Sequence, residues 1–182
     1  MRGLLFTEFL SFAEGVFEID VLEDAIEAAD LPSGGAYAST GHYPYQELVD
    51  IIAHLPMDSV GGVEAGMQAF GQWLAGRFKS SYRHFFERHT DAISFLDSID
   101  DHIHVEVRKL YPQAVPPRVK INQVDSETVL VSYESHRPFA TVALGLTIGS
   151  LEAYGGHWAV YSTAMANDQK ACQITLKKKQ IL

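Results

Sequence analysis

Apolar side chains recur every three or four positions through the first part of the chain, with Leu5, Phe9, Phe12 and Phe17 in one stretch and Leu48, Ile51, Ile52 and Leu55 in another. That spacing is one face of an α-helix. The pattern stays helical up to about Tyr111, broken by a loop at Leu31-Pro32-Ser33-Gly34-Gly35 and by Asp58-Ser59 with the glycine pair that follows. From Ile93 the run Leu96, Ile99, Ile103, Val107 and Leu110 predicts a long helix. Pro112 ends it, because proline has no N–H to continue the ladder.

Beyond Pro116-Pro117 the spacing changes to short stretches rich in Val, Ile, Thr and Tyr. Arg118 to Val124 and Thr128 to Glu134, divided by Asp125-Ser126-Glu127, predict a hairpin. A helix from about Phe139 to Tyr154 follows, and Trp158 to Ala166 and Ala171 to Lys179 flank Asn167-Asp168-Gln169 as a second hairpin. Helices first and a small antiparallel sheet afterwards is an α+β order. The expectation is a single domain over residues 1–182, with a helical lobe to about 112 and, from about 113, a mixed lobe of four strands and one inserted helix.

Composition narrows the functional classes. At 182 residues, 47% apolar and 20% charged, the chain suits one globular domain. The 23 acidic against 14 basic side chains leave a net charge of −9, which disfavours a nucleic-acid partner, since such binding draws on Lys and Arg neutralising phosphates. The one basic cluster, Lys177-Lys178-Lys179, is too short to reverse that. Cys172 is the only cysteine, so no internal disulfide and no thiolate-rich zinc cage can form. Glu8 and Glu14 interrupt the apolar N-terminal stretch, and no window approaches the roughly 20 apolar residues that span a bilayer. A soluble, cytoplasmic protein without a membrane partner is expected.

Familiar catalytic motifs fail on spacing. Gly61, Gly62 and Gly66 do not make the dinucleotide fingerprint, and no glycine loop ends in Gly-Lys-Ser/Thr. His84 and His89 are five apart rather than the four a helical zinc hydrolase needs. Cys172 falls in a predicted strand without an evident base and reads as a small apolar residue. More informative is Asp100-Asp101-His102-Ile103-His104-Val105-Glu106-Val107. Two histidines at i and i+2 point about 200° apart on a helix and cannot share a metal. His102 sits among Ser98, Glu106 and Lys109, whereas His104 flanks Ile93, Val107 and Tyr111 at the edge of the apolar stripe, a weak distinction on periodicity alone. Further on, alternation throws Tyr133, Ser135 and Arg137 onto one face at a strand end. Two hydroxyls and a guanidinium there suit a carboxylate.

Taken together, a helix histidine followed by Tyr111-Pro112, Pro116-Pro117-Arg118, a hairpin, Tyr-x-Ser-x-Arg at 133–137 and a helix with Leu144-Gly145-Leu146 resembles the haem-nitric oxide/oxygen binding (H-NOX) family. The Met-x-Gly opening and Ala69-Phe70-Gly71-Gln72-Trp73 match as well, so the resemblance runs from Met1 to about Lys178. It implies haem b held between the two lobes, no enzymatic activity, and His104 as the proximal iron ligand in the family's Ile-His-x-Glu-Val slot. By the same resemblance Tyr133, Ser135 and Arg137 clamp the haem propionates, and Pro117 presses on the porphyrin. Leu5, Phe9, Phe70, Leu74, Val142 and Leu146 form the apolar distal wall. A porphyrin needs such a set: an apolar slot, an anion clamp at one rim and one imidazole at the iron. Some relatives carry a Cys/His zinc site in the last hairpin; here Tyr161 and Ala164 stand at those positions, so no structural zinc is expected.

The function so implied is a nitric oxide sensor, also taking carbon monoxide, that signals to a separate histidine kinase or cyclic-di-nucleotide enzyme. A haem-free small-molecule-binding domain of the same architecture is the alternative, set apart by His104 with Tyr133, Ser135 and Arg137. A haem peroxidase ranks third, since the inferred distal wall offers neither His nor Arg.

Overall fold

A computed structural model describes residues 1–180 of the chain. Two compact units divide it, Met1–Gly66 and a second beginning at Met67. In the first, α1 (Gly3–Glu14), α2 (Ile19–Ala28) and α3 (Tyr45–His54) precede a 3₁₀ turn at Met57–Val60 and the start of α4 (Val63–Ser81), which runs on into the second unit. On α3 the spacing selects the buried residues Leu48, Ile51 and Ile52, whereas α1 buries Phe6, Phe9 and Ala13 and leaves Leu5 and Phe12 of the expected face half-buried, with Phe17 beyond the helix; α2 buries Leu22 and Ala25. The buried carboxylate of Glu47 accepts hydrogen bonds from Ser33 Oγ and from the Tyr37 hydroxyl, the latter at 2.9 Å.

The second unit adds α5 (Arg83–Phe86), α6 (Ala92–Ser98), α7 (His104–Leu110) and α8 (Ala140–Ala153), with strands β1 (Arg118–Gln123), β2 (Thr128–Glu134), β3 (Trp158–Met165) and β4 (Ala171–Lys178). The architecture is α+β, as expected. The four strands form an antiparallel sheet in the order β1-β2-β4-β3, so the two hairpins join through β2 and β4. Register sets Val129 opposite Leu176, Val131 opposite Ile174 and Tyr133 opposite Cys172, and all six are buried. Alternation therefore gives the sheet one apolar face. Among the described residues no helix is long and apolar enough to cross a membrane.

The long helix expected from Ile93 is not continuous. Asp91 caps α6, its Oδ1 accepting from Ile93 N and Ser94 N at 3.0 Å each. Then Ile99–Ile103 form a π-helical turn, and α-helix resumes only at His104. A π-turn closes its hydrogen bonds one residue later than an α-turn and so accommodates an extra residue. The apolar spacing is compatible with either winding, which is why the sequence pattern does not reveal the break.

Two helices of this unit approach at glycine. A Cβ built on Gly145 of α8 would lie 2.1 Å from the Gln68 carbonyl oxygen and 2.9 Å from the Gly71 Cα. Both obstacles are backbone and neither can move aside. Gly145→Ala is therefore expected to lower the unfolding free energy by about 1–3 kcal/mol. Gly76→Ala, where a Cβ meets nothing within 4 Å, should hold or raise stability, since alanine is the better helix former. Urea unfolding of the two variants beside the unsubstituted protein checks the pair.

Candidate functional site

An apolar cavity opens in the second unit between its helices and the inner face of the sheet, with about 770 Å³ of space between atoms, part of it open to solvent. Its walls come from α4 (Ala75, Phe78), from Phe86 and from α6 (Phe95, Leu96). The π-turn gives Ile99 and Ile103, the sheet Val119, Val131 and Ile174, and α8 Ala143, Leu146, Thr147 and Ser150. Into this surface project His104, Pro117 and Tyr133.

The π-turn accounts for His104. In an uninterrupted α-helix a residue five positions past Ile99 would lie about 140° round the axis from it. The slower winding of the π-turn brings His104 back towards the face of Ile99 and Ile103, and all three line the cavity. Its side chain retains 14% of its exposure, while His102 is exposed. Behind the ring, Nδ1 donates to Asp100 Oδ1 at 3.2 Å. Burial pushes the imidazole below its ordinary value, opposed by Asp100 and by a hydrogen bond with the Pro117 backbone and reinforced by Arg108. A ring kept neutral in an apolar wall, with its second nitrogen held by a carboxylate, is the usual state of a metal-binding histidine.

Of the residues proposed from the sequence, His104, Pro117, Tyr133 and Leu146 meet in this one cavity. Phe70, Leu74 and Val142 are buried in the same unit outside its lining. Leu5 and Phe9 belong to α1 in the first unit, Leu5 half-buried and Phe9 buried. Ser135 and Arg137 follow the end of β2, where the Ser135 hydroxyl accepts from the Arg137 backbone N–H at 3.1 Å. Burial raises the Tyr133 hydroxyl, while a hydrogen bond with Ser135 and the Arg137 charge oppose the shift. A turn, then, and not strand alternation, draws these three together.

Sequence reasoning missed several lining residues. Phe86 lies inside the His84–His89 segment that drew attention for its histidines, and its ring stacks on Phe95 at 4.3 Å. Thr147 and Ser150 recur with Ala143 and Leu146 at helical spacing, a signal the sequence does carry. Burial also raises Cys172 to about 11, which suits the inert role expected of it.

Helices followed by an antiparallel sheet, enclosing an apolar cavity with one imidazole in its wall, define a domain built to hold a large apolar ligand or prosthetic group. The chain belongs to the haem-NO-binding (HNOB, or H-NOX) family, whose sequence pattern matches residues 2–160. These are haem-binding gas-sensor domains. Among solved structures, the unliganded Fe(II) H-NOX protein of K. algicida is 26% identical with a TM-score of 0.88, the match covering 100% of this chain and 98% of that one. The S. oneidensis H-NOX protein in its Fe(II)NO state is 21% identical, with 99% and 100% covered and a TM-score of 0.86. Among curated protein sequences none matches significantly.

The residues present fit a haem. The cavity surface is almost wholly apolar, His104 is the one imidazole in its lining, and Tyr133 with Ser135 and Arg137 supplies polar donors nearby.

Proposed function

We propose that this chain senses nitric oxide at a haem b ligated by His104 and passes the signal to a separate effector protein. The observation that carries this reading is the lone imidazole of His104 in an apolar cavity, its Nδ1 already engaged by Asp100. With Nδ1 on Asp100, Nε2 would be the nitrogen to bind the iron, in place of any hydrogen bond it makes to the Pro117 carbonyl. Tyr133, Ser135 and Arg137 would hold the propionates through hydroxyl donors and a guanidinium, and Pro117, in the cavity lining, would rest against the porphyrin. The haem supplies a ferrous iron with one open position for a diatomic gas.

Were nitric oxide binding to loosen its hold on the iron, His104 would be free to move, and with it α7, which it begins, and the sheet. The gas biases an existing two-state equilibrium. A histidine kinase or a cyclic-di-nucleotide enzyme is the partner the family resemblance suggests. The absorption spectrum tests the reading directly. Purified or reconstituted protein should show a haem band that shifts with nitric oxide and with carbon monoxide, the nitric oxide form being that of an iron without its histidine. A protein that takes up no haem overturns the reading in favour of the haem-free alternative, and a nitric oxide form that keeps its histidine overturns the release step.

A further inference from the structure

We infer that Asp100 is a positioning residue that sets the strength of the His104–iron bond, and with it the ease with which His104 lets go. The inference rests on the haem reading above and adds a residue to it. The two side chains lie four positions apart, one inside the π-turn and the other immediately after it. Oδ1 of Asp100 is 3.2 Å from Nδ1 of His104, and both are largely shielded, with 27% and 14% of their side-chain exposure remaining. Asp101, the next residue along, is exposed, so the sequence offers two adjacent carboxylates of which the fold turns one onto the imidazole.

The chemistry follows from that contact. A carboxylate that accepts the Nδ1 proton fixes the tautomer, holds the ring plane, and pushes electron density towards Nε2, making it a stronger metal ligand. A stronger bond at Nε2 favours ferric over ferrous iron and resists rupture when a gas binds on the far side. Partial shielding from water keeps the interaction from being screened away, as an exposed pair would be. The π-turn belongs to the same device. Such turns are uncommon and frequent at functional sites, and this one both swings His104 to the cavity and leaves Asp100 within reach of its other nitrogen.

Three variants of the whole haem-loaded protein test this: Asp100→Asn, which keeps the shape and an acceptor oxygen without the charge, Asp100→Ala, which removes both, and Asp101→Asn as the charge control. In Asp100→Asn and more so in Asp100→Ala, the iron–histidine stretching band should move to lower frequency and the midpoint potential should rise. Loss of histidine after nitric oxide addition should become faster, and haem retention should fall by about 10- to 100-fold in the alanine variant. Asp101→Asn should leave band and potential in place. If Asp100→Ala fails to fold, the isosteric asparagine variant still reports. A band and potential unmoved in the folded Asp100 variants, or moved equally by Asp101→Asn, overturns the inference while leaving His104 as ligand. The absence of any iron–histidine band in the unsubstituted protein overturns both.

Discussion

His104→Gly is expected to yield a folded protein that no longer retains haem, and added imidazole should restore the haem band. The expectation follows from what surrounds the ring. The cavity wall is otherwise built of Phe, Leu, Ile, Val, Ala and Pro side chains with two alcohols and Tyr133, so removing the one imidazole leaves no other nitrogen ligand for iron in the lining. The hole left by the ring opens onto the cavity beside Pro117, which is where free imidazole would enter. His102→Ala makes the contrast. His102 is exposed on the π-turn and takes no part in the lining, so that substitution should leave haem content and spectrum unchanged. Haem stoichiometry and absorption of the two variants, purified in parallel, decide the matter. Retention by His104→Gly without imidazole, or loss in His102→Ala, would reverse the assignment.

The choice between those two histidines shows what the sequence could and could not say. On a continuous α-helix the period places His104 only at the margin of the apolar stripe; the π-turn at Ile99–Ile103 is what carries it onto the cavity, and nothing in the spacing of Ile99, Ile103 and Val107 demands that turn. The strands were legible because each carries an alternating face and is bounded by turn residues. Thr128–Glu134 is found as expected, and α8 and the other three strands end within a residue or so of their expected limits. What alternation cannot give is the pairing of β2 with β4, a long-range contact between two separate hairpins. Asp100 escaped notice for a related reason. One of two neighbouring aspartates is functional only through a local winding that the sequence does not announce. Phe86 was hidden by a four-residue helix too short to show any period.

Air should leave the ferrous, haem-loaded protein either unchanged or slowly oxidised, and Val142→Tyr should give it a lasting oxygen response. A ferrous haem protein keeps oxygen when a hydrogen-bond donor stands over the gas site, because the bound molecule gains electron density; nitric oxide and carbon monoxide need no such donor. Of the cavity's three hydroxyls, Tyr133 is the one assigned to the propionates, and the other two are already committed. Thr147 donates to the Ala143 carbonyl at 2.9 Å and Ser150 to the Leu146 carbonyl at 2.8 Å, each one turn back along α8. Tyr154, just past the end of α8, gives its proton to the Phe86 carbonyl at 2.6 Å. Val142 is buried on α8 just outside the lining but one helical turn before Leu146, which belongs to it, so a tyrosine at this position is long enough to bring its hydroxyl to the cavity. A phenol there supplies the missing donor. A hydrogen bond to a charged acceptor contributes about 1.5–3 kcal/mol, roughly 10- to 150-fold in oxygen affinity. Part of that gain is offset by fitting the larger ring into a packed helix face, at a cost of about 1–3 kcal/mol in stability. Spectra of both proteins in air, with urea unfolding as the check on packing, provide the measurement. A stable oxygen spectrum in the unsubstituted protein would mean that one of the committed hydroxyls lets go of its carbonyl to face the gas, and Thr147→Val and Ser150→Ala would then identify which.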